Sequence, residues 1–368
     1  MLSLTTFCGA KIRKIYEYFA VMVKISFSLS AGILTAMAAG IPASFGTVAL
    51  VLCCAAASVL RRSGKFETFF IFLCFFSAGI FCWCTQTSTV SFPSSGRPEI
   101  LSAASRRLSE AISRAPFRNS GTTGLLKALI CGDRTALQRG TAEAFRKAGA
   151  AHILALSGLH LGIICMLLRR VLSPAGNSPA ATKMKCATMI GVSAFYTMMT
   201  GASQSVIRAF LFISIRELSK LAPHRAVSST GVFCTALTVQ LAINPGAIRT
   251  LGFQLSYLAM AGLLTLAPLM QSWFPGGKHV MLKKIWDNSV AAISCQAFTA
   301  PLTVIKFHYF PQYFLLSNLI ALPLTEAIIC SGLVSTVLAG TGLGKGAATV
   351  TDHLVSALDF CLETISTM

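Results

Sequence analysis

Residues 313–339 read YFLLSNLIALPLTEAIICSGLVSTVLA, and Glu326 is the single charged residue in this stretch. An α-helix needs about 20 consecutive apolar residues to cross the hydrocarbon core of a bilayer. A helix on the surface of a soluble protein keeps one polar, charged face toward water. Because this stretch has no such face, it predicts a membrane-spanning helix.

Similar apolar blocks recur along the 368-residue chain. Apolar residues make up 54% of the sequence and charged residues 12%, whereas soluble proteins carry about 25% charged residues. The mean hydropathy is +0.69. We therefore expect an all-α polytopic membrane protein with about ten to eleven transmembrane helices and no soluble catalytic domain. The predicted spans are about 25–41, 43–60, 66–84, 151–168, 187–200, 205–219, 228–243, 251–270, 288–305, 313–339 and the more amphipathic 347–366.

Composition divides the chain into four segments. Residues 1–85 predict an N-terminal membrane anchor region of about three helices, and residues 86–120, rich in Ser, Pro and Arg, predict a short basic segment on the outer face. Residues 121–345 predict the main membrane domain, which begins with a soluble or interfacial amphipathic helix over 121–148. Residues 346–368 predict a C-terminal amphipathic or transmembrane helix.

The net charge of +19 comes from 31 Lys and Arg against 12 Asp and Glu. Lys and Arg collect in the cytoplasmic loops of membrane proteins, and a cytoplasmic N-terminus puts four basic joints on that side. Segment 86–150 is the exception, because it falls outside yet holds ten basic residues against four acids. Its arginines would either attract polyanions or contact anionic lipid headgroups. The basic joints are Arg61/Arg62/Lys65, Arg169/Arg170/Lys183/Lys185, Arg216/Lys220/Arg225 and Lys278/Lys283/Lys284.

The segment GAAHILALSGLHLG at 149–162 places two histidines and a serine at the mouth of an apolar helix. Ser157 and His160 are three residues apart and are predicted to share a helix face. Gly158 and Gly162 form a Gly-x-x-x-Gly pair that permits close helix packing. The residues alone leave two interpretations open: a packed helix start with hydrogen-bonded histidines, or a functional site within the membrane.

This segment resembles the signature of the ComEC-type competence family of inner-membrane DNA-internalisation channels, whose core reads roughly H-L-L-A-I-S-G-L-H-x-G. Further stretches resemble the family's other motifs in the same order over about 125–340, although Gln204 stands where the family usually has proline. The three N-terminal spans also fit the family plan. The matching stretches are LICGDR at 129–134, SQSVIRA at 203–209, GFQLSYLA at 252–259 and a final block from Gln296 to Pro323.

The resemblance implies a membrane channel for uptake of single-stranded DNA across the bacterial cytoplasmic (inner) membrane during natural transformation. It makes residues 121–345 a competence-type membrane channel domain. The implied partners are single-stranded DNA, membrane lipids, a DNA receptor, a separate nuclease, a helicase-type translocase and a second copy of the chain. The channel or motif residues are His152, Ser157, Gly158, His160, Gly162, Arg208, Gln254, Ser256, Gln296, Pro301, Asn318 and Pro323.

The sequence departs from the family plan in two places. Members often carry a soluble barrel-like domain after the third span, and the about 35 residues at 86–120 are too few for one. Many members also end in a metallo-β-lactamase-like nuclease domain, but the six histidines of this sequence form no H-x-H-x-D-H cluster. We therefore expect no catalytic residue, no metal and no cofactor in this chain, and we expect another protein to degrade the second strand.

A path for single-stranded DNA requires polar groups toward water and basic groups for the phosphates. The predicted helix at 288–305 carries a polar stripe, which faces either a lumen or a neighbouring helix. Arg208 lies in an apolar run, where a charge must be paired, face water or extend to the interface. The stripe consists of Ser289, Gln296, Thr299, Thr303 and Lys306, and the residues predicted to attract DNA are Arg97, Arg106, Arg107, Arg114, Arg118 and Arg134.

Two other functions fit the same helix bundle. One is a small-molecule or lipid-linked transporter, which would need a closed site, for example around Glu326 and Arg208. The other is a membrane scaffold that anchors partner proteins. Salt-sensitive binding of DNA would distinguish a DNA channel from a transporter, because phosphate contacts weaken as salt rises.

Overall fold

The computed structural model describes residues 2–40, 50–51, 67–86, 99–221, 227–274, 280–308 and 310–367. The predicted span at 43–60, apart from residues 50–51, and Arg97 lie outside the described residues. Every regular element within the described ranges is a helix, and none is a strand. The predicted all-α class is therefore confirmed for this part of the chain.

The helices follow one another with short connections. A π-helical turn covers Lys127–Cys131, and 3-10 helices cover Ser173–Ala175 and Pro245–Arg249. In the described ranges the α-helices are α1 Leu2–Ala39, α2 Glu67–Gln86, α3 Glu99–Arg114, α4 Ser120–Leu126, α5 Arg139–Lys147, α6 Ala151–Leu154, α7 Gly158–Leu172, α8 Pro179–Met199, α9 Gln204–Ser219, α10 Ser229–Ile243, α11 Leu251–Gln271, α12 Val280–Phe307, α13 Phe314–Val337 and α14 Gly342–Thr367.

Five segments of the described residues are long and apolar enough to cross a membrane. They support a multi-pass membrane protein, while the total of ten to eleven spans stays a prediction. Two shorter apolar helices, Ile71–Thr85 and Ser229–Ile243, also match predicted spans. The five segments are Val21–Ala39, Gly158–Ala175, Leu251–Gln271, Val280–Phe307 and Phe314–Val337.

Two helices begin well before the apolar run from which they were predicted. Helix α8 begins at Pro179 instead of 187, and α12 begins at Val280 instead of 288. The first turns of both helices contain lysines, and the low hydropathy of these turns led to the prediction of loops there. Ser178 caps α8 by accepting a hydrogen bond from Ala181 N at 3.1 Å, and proline suits the first helical position that follows.

Two other predicted helices are interrupted, so these predictions are wrong as single elements. The helix predicted over 121–148 ends at Gly132, whose φ of 76° is a left-handed conformation that favours glycine, and helix resumes at Arg139. The span predicted over 151–168 breaks after Leu154, because Ala155 has an extended backbone with φ −76° and ψ 129°. Hydropathy alone shows neither break.

The chain forms two compact units, and the first consists of Met1–Ser94 and Ser214–Gln254. Helices α1 and α2 approach closely, since a Cβ on Gly32 would overlap the backbone carbonyl of Phe76. Ser26 ties α1 to α10 by donating its hydroxyl to a backbone carbonyl of α10 at 2.9 Å. Small residues at such crossings are typical of helices packed in membranes.

The second unit consists of Ser95–Ile213 and Leu255–Met368. Its core lies where α3, α4, the π-helical turn and α5 pack against α13 and α14. The apolar residues of 121–148 therefore face other helices. The core side chains that are at most 1% exposed include Ile112, Leu125, Leu126, Leu129, Ile130, Phe145, Ile328, Ile329, Val355 and Leu358.

The segment from α4 to α5 runs along the length of α13. Leu126 contacts Gly332 near the C-terminal end of α13. Ser317, near the other end, donates its hydroxyl to Ala148 O at 2.5 Å. The rise of 1.5 Å per residue puts these two contacts roughly 22 Å apart along the helix. The segment thus packs inside the second unit, whereas a helix lying flat on an interface would meet only one end of α13.

Candidate functional site

The N-terminus of α7 is built by Ser157 and His160. The Ser157 backbone N–H donates to His160 Nδ1 at 3.0 Å, and Ser157 Oγ accepts from Leu159 N at 3.3 Å. Together they form a capping box in which histidine replaces the usual Glu or Gln. The two side chains lie close together, with Ser157 Oγ 3.3 Å from His160 Nδ1, but Ser157 has an extended backbone and precedes the helix face on which it was predicted to lie.

The imidazole of His160 is only 1% exposed. Because Nδ1 accepts the Ser157 N–H, the neutral ring carries its proton on Nε2. That Nε2 has no hydrogen-bond partner within the described residues. The geometry agrees with the interpretation of a packed helix start with a hydrogen-bonded histidine.

Gly132 and Arg134 both contact residues that lie just before α7 in the sequence. Arg134 Nη2 donates to the carbonyl of Leu154 at 2.9 Å. Gly132 lies against Leu156, and a Cβ on Gly132 would overlap the Leu156 side chain. Two stretches that resemble separate family motifs are therefore in direct contact.

Two further sets of hydrogen bonds fix this turn. Asp133 Oδ1 accepts from Thr135 Oγ1 at 2.6 Å and from Thr135 N at 3.0 Å, and these bonds lower the pKa of Asp133. The Tyr196 hydroxyl of α8 donates to Ile130 O at 2.9 Å. Tyr196 was missed by sequence reasoning, because hydrophobic periodicity carries no signal for a contact between residues 66 positions apart.

Arg208 is half-buried on α9, and its guanidinium group is stabilised by neutral polar and aromatic groups of the second unit. Its Nη1 donates to the carbonyl of Ser256, and its guanidinium carbon lies 5.9 Å from the centre of the Tyr257 ring. An aromatic face stabilises a cation more strongly as water is excluded. The hydroxyls of Ser205 and Ser256 lie 3.3 Å apart beside this pair.

The two glycines of the Gly-x-x-x-Gly pair have different surroundings. A Cβ on Gly158 would lie 3.0 Å from Ala209 Cβ, so α7 and α9 approach closely there. A Cβ on Gly162 would meet no described atom within 4 Å. The predicted close packing is found at Gly158, whereas no described residue packs against Gly162.

The remaining motif residues do not converge on one point. Gln254, in the first unit, donates its amide to Ile248 O at 2.8 Å. The Asn318 Oδ1 is buried without a hydrogen-bond partner in the described part of the chain. By exposure, Gln296 is half-buried, and His152, Pro301 and Pro323 are exposed.

The polar stripe of α12 does not bond to a neighbouring helix through its threonines. Thr299 and Thr303 each donate to the carbonyl four residues earlier in α12, at 2.9 Å in both cases. Both are half-buried, and Lys306 at the end of the stripe is exposed. The interpretation of the stripe as a helix–helix hydrogen-bonding face finds no support in these two hydroxyls, and the lumen interpretation stays a prediction.

The basic residues predicted to attract DNA are exposed but spread along the second unit. Arg118 N donates to Asp352 of α14 at 2.9 Å, beside Thr351, which lies 3.4 Å from Ser335 near the end of α13. Arg134 lies toward α7, as described above. A role of these residues in attracting DNA stays a prediction. Arg106, Arg107, Arg114, Arg118 and Arg134 are the exposed members.

Within the described ranges no group of three or more His, Cys, Asp or Glu is arranged to hold a metal ion. The buried Cys131 ends the π-helical turn, and burial raises the pKa of its thiol to about 11. A thiol with so high a pKa is a poor nucleophile at neutral pH.

Replacing His160 with alanine is expected to lower the free energy of unfolding by about 1–2 kcal/mol, because the Ser157 N–H loses its acceptor at the helix start. Thermal unfolding of the purified protein in detergent measures the loss. His160→Gln is the matched control, since an amide oxygen at this position rebuilds the capping box. Equal stability of His160→Ala and the unchanged protein would contradict the capping role.

The amino-acid sequence of this chain is similar to one protein family and to several curated proteins. The pattern of the Competence protein family matches residues 129–368. ComE operon protein 3 of Bacillus subtilis (strain 168) is 27% identical over 255 residues, which cover 69% of this chain and 31% of that protein. Competence protein ComA of Neisseria gonorrhoeae is 27% identical over 175 residues, covering 46% of this chain and 25% of the relative.

A further relative is the uncharacterized protein YcaI of Escherichia coli (strain K12), 26% identical over 205 residues, which cover 54% of this chain and 26% of that protein. The chain thus matches less than a third of the length of these curated relatives. No solved structure matches the chain.

Proposed function

This chain belongs to the Competence protein family, and from that premise we propose that it forms the membrane channel through which single-stranded DNA crosses the cytoplasmic membrane during natural transformation. The proposal concerns the matched segment and the residues that contact one another there. It extends to this chain the role that the word competence describes for its relatives.

The observation that carries the proposal is the contact between stretches that resemble separate family motifs. Stretches 129–134, 149–162 and 203–209 are separate in sequence, and each contacts the next in the second unit, where 203–209 also contacts Ser256. Direct contact supports a shared site, because residues that act together must lie within reach of one another. The contacts are Arg134 with Leu154, Gly158 with Ala209, and Arg208 with Ser256.

We further propose ten to eleven spans in the inner membrane with the N-terminus in the cytoplasm. In this orientation the joint between α12 and α13 lies on the outer side. A DNA receptor would deliver DNA to that side, a separate nuclease would remove one strand, and a helicase-type translocase would pull the other inward. The chain itself would act as a conduit without catalytic residues.

Deleting the gene tests the proposal. Internalised, nuclease-resistant labelled DNA is expected to fall to background in competent cells, while DNA bound at the cell surface is unchanged. Expression of the gene from another locus should restore internalisation. Undiminished internalisation in the deletion strain would overturn the proposal, and absence of DNA binding by the purified protein at low salt would favour a transporter of small or lipid-linked molecules.

A further inference from the structure

A cleft of about 320 Å³ lies at the end of α13 where the chain arrives from α12. Three parts of the second unit form it: the end of α5, the joint between α12 and α13, and the end of α14. Its volume falls in the range of small-ligand sites, roughly 300–1,000 Å³. The residues that line it are Lys147, His308, Phe310, Gln312, Tyr313, Ile365 and Ser366.

The joint that lines the cleft is held in a particular backbone conformation. His308 has φ 51°, a left-handed value that is uncommon for a residue other than glycine. Pro311, which follows in this joint, packs against Gly149, where a Cβ would come within 2.5 Å of Pro311 Cβ. Ser317 binds the carbonyl of Ala148 one residue before that glycine. These contacts attach the joint to the end of α5, so that Lys147 and the aromatic residues line the same cleft.

The lining combines a cation with exposed aromatic rings. Phe310 is 44% exposed and Tyr313 is 37% exposed, and none of the described residues that line the cleft is acidic. Phe310 is oriented by an edge-on contact with Phe314, with ring centres 6.1 Å apart. A cation and partly exposed aromatic rings that line the same cleft are a combination that suits single-stranded nucleic acid, because the cation contacts phosphate and a base stacks on a ring.

One carboxylate lies near this cation and has to be considered. Glu143 Oε1 is 3.3 Å from Lys147 Nζ and 3.9 Å from Arg146 Nη2. The side chains of all three residues are more than half exposed, and exposed ion pairs of this kind contribute little. Because the ion pair between Lys147 and Glu143 is exposed to solvent and weak, a phosphate can compete with the carboxylate for Lys147.

We propose that this cleft binds one nucleotide of a single DNA strand, with its phosphate on Lys147 and its base stacked on Tyr313. The proposal rests on the proposed function, because it names a contact point for DNA on the proposed route. In the proposed orientation the cleft opens on the outer side, where a strand would arrive. A phospholipid headgroup would also offer a phosphate, but it has no base to occupy the ring face.

The test measures binding of a fluorescent 20-nucleotide oligo(dT) to the purified chain in detergent, by anisotropy over a series of salt concentrations. Tyr313→Leu is expected to weaken binding roughly 5- to 150-fold, the range for losing one stacked base. Lys147→Gln is expected to reduce the slope of log affinity against log salt by about 0.7, the value for one phosphate contact on a single strand. Tyr313→Trp and Lys147→Arg should retain binding.

Matched controls separate the cleft from its surroundings. Phe307 is 57% exposed just before the cleft, and Lys345 is an exposed cation at the far end of α14. Phe307→Leu and Lys345→Gln are expected to bind oligo(dT) as the unchanged protein does.

Two results would overturn the cleft proposal while leaving the proposed function intact. One is DNA binding that persists unchanged in both Tyr313→Leu and Lys147→Gln. The other is complete loss of oligo(dT) binding to the cleft when anionic phospholipid vesicles are added, with Tyr313→Leu binding these vesicles less well, because the cleft would then be a lipid headgroup site. Absence of oligo(dT) binding by the unchanged protein at low salt would overturn both proposals.

Discussion

Replacing Gly132 with alanine is expected to lower the free energy of unfolding of the second unit by about 2–5 kcal/mol. Two effects add at this position. The φ of 76° costs a residue with a Cβ about 1–2 kcal/mol, and the new Cβ overlaps the side chain of Leu156. Since native proteins are stable by only about 5–15 kcal/mol, this loss is a large fraction of the total, and we expect less folded protein in the membrane. Immunoblots of membrane fractions and thermal unfolding in detergent measure this effect.

Gly140→Ala is the matched control for this substitution. Gly140 lies in α5 and has open space where a Cβ would be added, so alanine is expected to stabilise the helix slightly. The double variant Gly132→Ala/Leu156→Ala should recover the part of the loss that comes from overlap and retain the part that comes from φ. Normal amounts of stable Gly132→Ala protein would show that this turn does not constrain the fold.

Replacing Arg208 with leucine is expected to abolish DNA internalisation while part of the protein still reaches the membrane. The substitution removes the hydrogen bond to the carbonyl of Ser256 and the contact with the Tyr257 ring, and a bond to a charged group contributes about 1.5–3 kcal/mol. Arg208→Lys is expected to give an intermediate result, because lysine keeps the charge but lacks the planar group. Transformation frequency, divided by the amount of protein in the membrane, is the measurement.

A second arginine of the same helix provides the control for Arg208. Arg216 is exposed and donates to Ser229 Oγ at 2.9 Å. Arg216→Leu is expected to leave internalisation near normal, since it changes only an exposed contact. If Arg208→Leu transformed as well as Arg216→Leu, the Arg208 charge would have no part in DNA passage.

The contacts of Arg134, Ser157 and Arg208 would fix the conformation of the proposed site. Each uses a polar side chain to bind backbone or a neighbouring residue near the N-terminus of α7. Side chains bonded in this way are fixed before any ligand arrives, so the site would not have to be ordered at the cost of binding energy. His160, buried and bonded through Nδ1, contributes to this arrangement by capping the start of α7.

Several features of the fold and site could be predicted from the sequence. The apolar runs at 251–270 and 313–339 correspond closely to α11 and α13, because a single segment that crosses lipid satisfies its backbone hydrogen bonds by forming a helix. The pairing of Ser157 with His160 was also predictable, because a spacing of three residues at a helix start is a local property. The family was identified from short stretches whose order in the chain matches the family motifs.

Local patterns failed where a distant part of the chain decides the conformation. The break at Gly132 depends on the packing of Leu156 against it, and whether a residue packs against Gly162 depends on which helices pass nearby. The cleft at Lys147 joins residues more than 150 positions apart. Nothing in the residues around any of these positions indicates its partner.

The sequence by itself determined that the chain is a helical, multi-pass membrane protein of the Competence family, since hydropathy and short ordered motifs are properties of neighbouring residues. Only the tertiary structure decided that the segment 121–148 packs along α13, that Arg208 binds the Ser256 carbonyl, and that Lys147 and Tyr313 line the same cleft. The physical reason is that these features depend on contacts between helices. Apolar helices offer many faces of similar hydrophobicity, and only close packing of their side chains selects one arrangement.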